Sequence, residues 1–143
     1  MSKLDTLEPD FREHVEQLII AASNVTGRKW VITSGRRTME EQRGLFAQGR
    51  STTGKIVTNA PAGSSAHNFG YAADLAPMSA DGKSIDWNAP KSMWKLMADI
   101  AVEMGLTAGF YFKSMKGGDA PHVEDGRWRD LQALWKAGKL EIS

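Results

Sequence analysis

The organisation of this chain follows from the stretch SAHNFGYAAD at residues 65–74. A second short stretch, DAPH, lies downstream at residues 119–122. Two of the three histidines in the protein lie in these two segments. A catalytic zinc ion takes three protein ligands and keeps a fourth position open. Two imidazoles and a carboxylate, from His67, Asp74 and His122, supply such a set. The pattern therefore indicates a metallohydrolase.

The spacing of the first two candidate ligands requires a bend in the chain. His67 and Asp74 are seven residues apart, so in one flat strand their side chains would point to opposite faces. Gly70 lies between them and can enter backbone conformations that other residues avoid. We therefore expect a bend at Gly70. The third histidine, His14, lies in a predicted helix, where a structural role is expected.

Hydrophobic periodicity predicts alternating helices and short strands around this stretch. The capping-box pair Thr38 and Glu41 marks the start of the second helix. The first predicted helix has Pro9 near its first turn and stops at Gly27, and the second runs from about Met39 to Gln48. The third opens near residues 88–90 and closes at Gly105. The apolar residues of the last helix are Trp128, Leu131, Leu134 and Trp135. The predicted strands are Trp30–Thr33, Tyr71–Ala76, Leu106–Phe112 and a short one that begins at His122, with a turn at Asp81-Gly82 whose return arm is Ser84–Trp87. The tryptophans expected to anchor the core are Trp87, Trp94, Trp128 and Trp135. This order predicts an α+β fold, a single domain with a small, mainly antiparallel sheet and flanking helices.

Composition narrows the classes of function. The 143 residues include 18 Lys and Arg against 17 Asp and Glu, so the net charge of +1 gives no electrostatic reason to expect a nucleic-acid partner. The chain has no cysteine, so any metal must be held by imidazole and carboxylate. The N-terminus has no apolar signal segment, and no apolar run reaches 18 residues. We therefore expect synthesis in the cytoplasm without a signal peptide, no stable membrane insertion and a monomeric protein.

Ser-x-His-x-x-Gly-x-Ala-x-Asp followed by Asp-x-x-His resembles the motif set of the zinc peptidoglycan peptidases. That family includes D-alanyl-D-alanine carboxypeptidases and phage L-alanyl-D-glutamate endopeptidases. The matching positions are Ser65, His67, Gly70, Ala72, Asp74, Asp119 and His122. Residues 31–38 resemble the family's strand and following turn, and residues 42–64 resemble the phage endolysin branch in particular.

The resemblance implies one Zn²⁺ per chain, held by His67, Asp74 and His122, with Asp119 as the general base. The residues alone leave the base open between two carboxylates. Glu124 is two residues after His122 and would share a strand face with it. Asp119 is three residues before His122, so it could face the same side only if the chain curls between them.

Two further residues are implied on the substrate side. Arg37 matches the family arginine that faces the substrate, where it would bind a carboxylate or stabilise an oxyanion. Its neighbour Arg36 stands where the family usually has tyrosine. Ser65 is two residues before His67, so in a strand the two side chains would share a face and Ser65 would reach the substrate. The alternative is that Ser65 only forms part of a turn.

The function implied is a zinc endopeptidase that cuts the L-alanyl-D-glutamate bond of the peptidoglycan stem peptide. As a phage endolysin it would be made in the host cytoplasm, reach the periplasmic cell wall with the help of a holin, and carry no separate cell-wall-binding domain. One alternative is a D-alanyl-D-alanine carboxypeptidase or dipeptidase. Another is a catalytically silent domain that uses zinc for stability and binds the wall without cutting it.

Overall fold

The computed structural model describes residues 2–114 and 117–143 and shows helices packed around a small sheet. The α-helices are α1 (Pro9–Thr26), α2 (Met39–Ala47), α3 (Lys91–Glu103) and α4 (Trp128–Lys136). The strands are β1 (Trp30–Ser34), β2 (Ala72–Pro77), β3 (Thr107–Ala108) and β4 (His122–Glu124). Short 3-10 helices cover Lys3–Thr6, Ala66–Phe69 and Gly109–Tyr111. The α+β fold expected from the sequence is confirmed.

The strands form one antiparallel sheet in the order β1-β2-β4-β3. β2 and β4 are its central strands, and Asp74 on β2 lies directly opposite His122 on β4. The pairing of β1 with β2 shifts register between Ile32 and Ser34, next to Asp74. Such an irregularity bends a strand and redirects the chain that follows it. Here that chain is the turn that carries Arg37.

The main core lies between the sheet and the two long helices α1 and α3, which contact each other. α1 places residues at helical spacing into this core, and Phe11, Val15 and Leu18 are fully buried. Trp30 on β1 meets Trp94 on α3 edge to face, with ring centroids 5.6 Å apart. The backbone of the sheet is thereby held from one side by a rigid layer.

A second, smaller cluster packs under the motif stretch. It contains Met39, Ala66, Phe69, Ala72 and Trp128, with Trp135 packed against it. Because the cluster includes residues from both the 65–74 stretch and α4, it fixes the C-terminal helix against the segment that carries His67.

The predicted strand at Leu106–Phe112 is confirmed only at Thr107 and Ala108 and is wrong for the rest of the segment. Only Thr107 and Ala108 pair with β4, and the chain then turns through Gly109–Tyr111. In this register Gly109 would lie opposite His122, the first residue of β4, so β3 could gain at most one more pair. The Asp119 N–H donates instead to the carbonyl of Gly109, at 2.7 Å.

Two other expectations need adjustment. The turn at Asp81-Gly82 is present, but its return arm pairs with the strand before it only through one bridge, between Met78 and Ile85. Trp87 is not a core anchor: its surface is 56% exposed, and its ring stacks on Trp94 from outside. It follows the turn rather than lying on a helix, so no helical face directs it inward. Within the described ranges, no helix combines the length and apolar character needed to cross a membrane.

Candidate metal centre

His67 is positioned by a short 3-10 helix that ends in a sharp turn. Ser65 caps this helix, because its Oγ accepts a hydrogen bond from the His67 N–H at 3.2 Å. Gly70 then adopts a left-handed conformation, with φ of 77°, before β2 begins. The bend predicted at Gly70 is therefore confirmed, and it turns the buried His67 ring and Asp74 toward each other.

The three candidate ligands meet at one point. Asp74 Oδ1 lies 3.4 Å from His67 Nε2 and 3.3 Å from His122 Nδ1. One ligand atom from each residue lies within 4.8 Å of the others. Nitrogen and oxygen ligands at 2.0–2.2 Å from a tetrahedral zinc would be about 3.3–3.5 Å apart. The donor types and the two measured spacings therefore fit a zinc ion.

The polar partner of His67 supports this arrangement. His67 Nδ1 lies 2.8 Å from the carbonyl oxygen of Gly35. A carbonyl oxygen only accepts hydrogen bonds, so Nδ1 must carry the proton in this contact. The lone pair of a neutral ring is then on Nε2, which faces Asp74. Metal-binding histidines characteristically donate their other ring N–H in this way.

Electrostatics at this point favour charged groups. Burial alone would raise the pKa of Asp74, but the hydrogen bond from the His122 ring, together with the contact with the His67 ring, outweighs burial and holds the pKa below its ordinary value. Burial alone would lower the pKa of His122, yet hydrogen bonds to Asp74 and Glu124 raise it to about 9. This raised pKa favours the protonated form of the metal-free His122 ring, with a proton on the nitrogen that faces Asp74. A metal ion would take the place of that proton.

Asp119 reaches the same cavity because the chain curls before it, as a role for Asp119 as the general base requires. Gly117 and Gly118 both have left-handed φ angles, of 78° and 72°. The Asp119 carbonyl then accepts from the His122 N–H at 3.1 Å, which closes a tight turn. Burial raises the pKa of the Asp119 carboxyl above its ordinary value, so this group is more basic than an exposed aspartate.

Glu124, the competing carboxylate, lines the same cavity, but both of its oxygens already have hydrogen-bond partners. Its Oε1 lies 2.7 Å from His122 Nε2, and its Oε2 accepts from the Trp128 Nε1–H at 2.9 Å. His122 Nε2 is the ring nitrogen that does not face Asp74. Glu124 therefore lies on the outer side of the His122 ring, with both carboxylate oxygens bound.

The two neighbouring arginines point to different places. Arg37 Nη2 lies 3.4 Å from Asp74 Oδ2, at the edge of the ligand group. Arg36 donates to the carbonyl of Asn68 and to Ser143 Oγ, at 3.4 and 3.1 Å. Arg37 is thus the arginine at the site. Ser65 also lines the cavity, but as the cap of a 3-10 helix, so the reasoning from strand alternation was wrong for it.

A buried asparagine that no sequence motif singles out connects the site segments. Asn68 is fully buried, and its Nδ2 donates to the carbonyls of Arg37 and Thr38 at 3.0 and 3.3 Å. Its Oδ1 accepts from the Gly63 N–H at 3.2 Å. The one available signal was a polar residue inside an otherwise buried stretch, where it must find partners.

An open cavity of about 690 Å³ surrounds the ligand group. This volume lies in the range of ligand-binding clefts. One wall is the loop of residues 57–61 and another is formed by Phe112 and Trp128. Arg37, Asp119 and the three candidate ligands all line the same space.

Comparison with known proteins places this chain in a family of peptidases. Residues 5–128 match the VanY family, described as D-alanyl-D-alanine carboxypeptidase. The chain belongs to this family.

Two kinds of relative accompany this match. The peptidoglycan L-alanyl-D-glutamate endopeptidase CwlK of Bacillus subtilis (strain 168) is 39% identical over 125 residues, which cover 82% of this chain and 72% of CwlK. The L-Ala D-Glu endopeptidase ChiX of Serratia marcescens has a similar structure, with a TM-score of 0.60, 22% identity and coverage of 91% and 87% of the two chains.

A second similar structure was solved with a metal. A mutant of the vancomycin-resistance D,D-pentapeptidase VanY, in complex with Zn(II), has a TM-score of 0.59 and 16% identity, with coverage of 92% of this chain and 79% of VanY. At these low identities the two structures show the shared fold.

Proposed function

We propose that this protein is a zinc-dependent peptidoglycan endopeptidase that hydrolyses the L-alanyl-D-glutamate bond of the stem peptide. The observation that carries the proposal is the group formed by His67, Asp74 and His122 at zinc spacing, with Asp119 in the same cavity. The choice of bond is supported by the 39% identity to CwlK, whose name specifies that bond.

Each residue of the site has a role in this proposal. One zinc ion per chain, held by the two histidines and Asp74, would supply a Lewis acid that activates water and polarises the scissile carbonyl. Asp119 takes the proton of the attacking water and gives it to the departing amine. Its raised pKa suits a group that must first accept and then release a proton.

Arg37 and Ser65 are proposed to contact the substrate. The Arg37 guanidinium borders the ligand group and is partly exposed to the cavity, where it would bind a stem-peptide carboxylate or the developing oxyanion. Ser65 Oγ already accepts from the His67 N–H, so its hydroxyl proton is the part that can be offered to a substrate.

Digestion of purified peptidoglycan followed by mass spectrometry tests the bond that is cut. The proposal expects new N-terminal D-glutamate. Release of free D-alanine would replace this proposal with the carboxypeptidase or dipeptidase activity that the family description favours. New reducing sugar ends would refute a peptidase.

Two variants separate catalysis from metal binding. Asp119→Ala should keep about one zinc per chain and lose activity by a factor of about 10²–10⁴, the usual contribution of a general base. His67→Ala should lose the metal. Normal activity in Asp119→Ala would refute the assignment of the base. Zinc binding by the native protein without any cleavage would favour a silent, zinc-stabilised wall-binding domain.

The lytic role of a phage endolysin is also part of the proposal, and it rests on the motif resemblance. Its test is the clearing of bacterial cells whose outer membrane has been permeabilised, with Asp119→Ala as the control. Clearing by the native chain alone supports lysis through wall cleavage, and equal clearing by both proteins contradicts it.

A further inference from the structure

His122 is bound at both ring nitrogens, and the outer contact has no part in the function proposed above. We propose that Glu124, held in place by Trp128, is a positioning residue that makes Nδ1 the metal-binding atom of His122. This inference rests on the metal site of the proposed function. It concerns which nitrogen binds the metal and how firmly, not which bond of the substrate is cut.

The hydrogen-bond chemistry of a carboxylate determines the direction of this effect. Glu124 Oε1 lies 2.7 Å from His122 Nε2, and an ionised carboxylate only accepts. Nε2 must therefore carry a proton. When the ring is neutral, its lone pair is on Nδ1, which faces Asp74 Oδ1 at 3.3 Å. The carboxylate on the outer side thus selects the tautomer that the inner side needs.

Trp128 keeps the carboxylate in that position. Its Nε1–H donates to Glu124 Oε2 at 2.9 Å, so the second oxygen is fixed as well. Trp128 is itself buried, with 7% of its surface exposed. Its ring stacks on Phe69 with centroids 6.0 Å apart and planes 26° apart. Phe69 belongs to the same 3-10 helix as His67, so one chain of contacts holds both histidine segments.

This network predicts that glutamine is a poor substitute for Glu124. An amide has one accepting oxygen and one donating nitrogen. If its oxygen accepts from Trp128, its NH₂ group faces His122 Nε2 and favours a proton on Nδ1, which blocks metal binding. If its oxygen accepts from His122, two donors meet at Trp128. Trp128→Phe keeps the ring packing and leaves the glutamate free to accept from His122, so it should be milder.

The experiment measures zinc affinity on the full chain by competition with a chromophoric chelator. Glu124→Gln should bind zinc about 10–100-fold more weakly than the native protein, the usual cost of losing such an outer contact. Trp128→Phe should bind zinc with an affinity between those of the native protein and Glu124→Gln. Glu103→Gln, which removes a negative charge from the exposed end of α3, is the matched control and should bind as the native chain does. Affinity of Glu124→Gln within twofold of the native value overturns the inference.

A spectroscopic measurement on the native protein avoids any dependence on how well the variants fold. Nitrogen NMR of the zinc-loaded protein should show His122 bound through Nδ1 and protonated at Nε2, and His67 bound through Nε2. Zinc bound to Nε2 of His122 overturns the inference, whatever the variants do.

The outcomes also separate this inference from the proposed function. All of these measurements use zinc alone, without peptidoglycan. A native protein that binds zinc through Nδ1 of His122 but cuts no stem peptide refutes the proposed function and leaves this inference standing. A native protein that cuts the stem peptide, with a Glu124→Gln variant of unchanged zinc affinity, refutes only the inference. Failure of the native chain to bind zinc refutes both.

Discussion

Gly109→Ala is a sharp test of how the proposed base is placed. Gly109 lies directly beneath the turn that carries Asp119 and His122. An ideal Cβ at position 109 would be 2.8 Å from the Cβ of His122 and closer still to the carbonyl oxygen of Asp119. The backbone of Gly109 is outside the left-handed region, so alanine meets no conformational penalty there and the effect is purely one of contact.

The size of the displacement follows from these contacts. Ordinary van der Waals contact begins at 3.4 Å, so the two segments must separate by about 1 Å before their contact stops being repulsive. Both atoms belong to backbone or to a Cβ and have no flexible side chain to swing away. Overpacking of this kind costs about 1–3 kcal/mol of stability. A misplacement of about 1 Å at a catalytic group can cost about 10²-fold in rate.

The assay is the rate of stem-peptide cleavage, measured together with zinc content and melting temperature. Gly109→Ala should remain folded and lose roughly 10²-fold in kcat/KM. Gly126→Ala is the control, because its backbone is also outside the left-handed region and its ideal Cβ meets no described atom within 4 Å. Activity of Gly109→Ala within twofold of the native value would refute the idea that this close approach positions Asp119.

Two predictions concern stability. The Thr38 side chain caps α2, because its Oγ1 accepts a hydrogen bond from the Glu41 N–H at 3.1 Å. Thr38→Ala removes this cap and should lower the free energy of unfolding, measured by urea titration, by about 1 kcal/mol; an unchanged value would contradict the capping role. Hydrogen bonds from Arg127 lower the pKa of Asp125 in the folded protein, so this carboxylate stabilises the fold above about pH 4 and the contribution disappears as pH falls through the lowered pKa. Asp125→Asn should therefore destabilise the protein more at pH 7 than at pH 3, and an equal loss at both pH values would count against the ion pair.

Local sequence rules predicted the parts of the site that depend on nearby residues. The odd spacing of His67 and Asp74 required a bend, and Gly70 supplies it. The Thr38–Glu41 box marks the start of α2 as expected. The α+β class followed from the order of periodic segments. In each case the deciding interaction lies within a few positions along the chain.

The missed features depend on contacts between distant segments. Gly109 leaves the sheet because Asp119 binds its carbonyl, and no local pattern signals a partner ten residues away across a turn. The sequence around Ser65 predicts an extended segment, because nothing in it signals the 3-10 helix that follows. The three acceptor and donor contacts of Asn68 join segments up to 31 residues apart, so its importance is invisible from its neighbours.

The register between β2 and β4 has a consequence for folding. His67 and Asp74 are close in sequence, but His122 joins them only when the two central strands pair with Asp74 opposite His122. A slip by one residue would turn a ligand to the other face of the sheet. The complete ligand set therefore exists only after this long-range pairing has formed. A tightly bound metal would then stabilise the sheet in its correct register and would not start its folding.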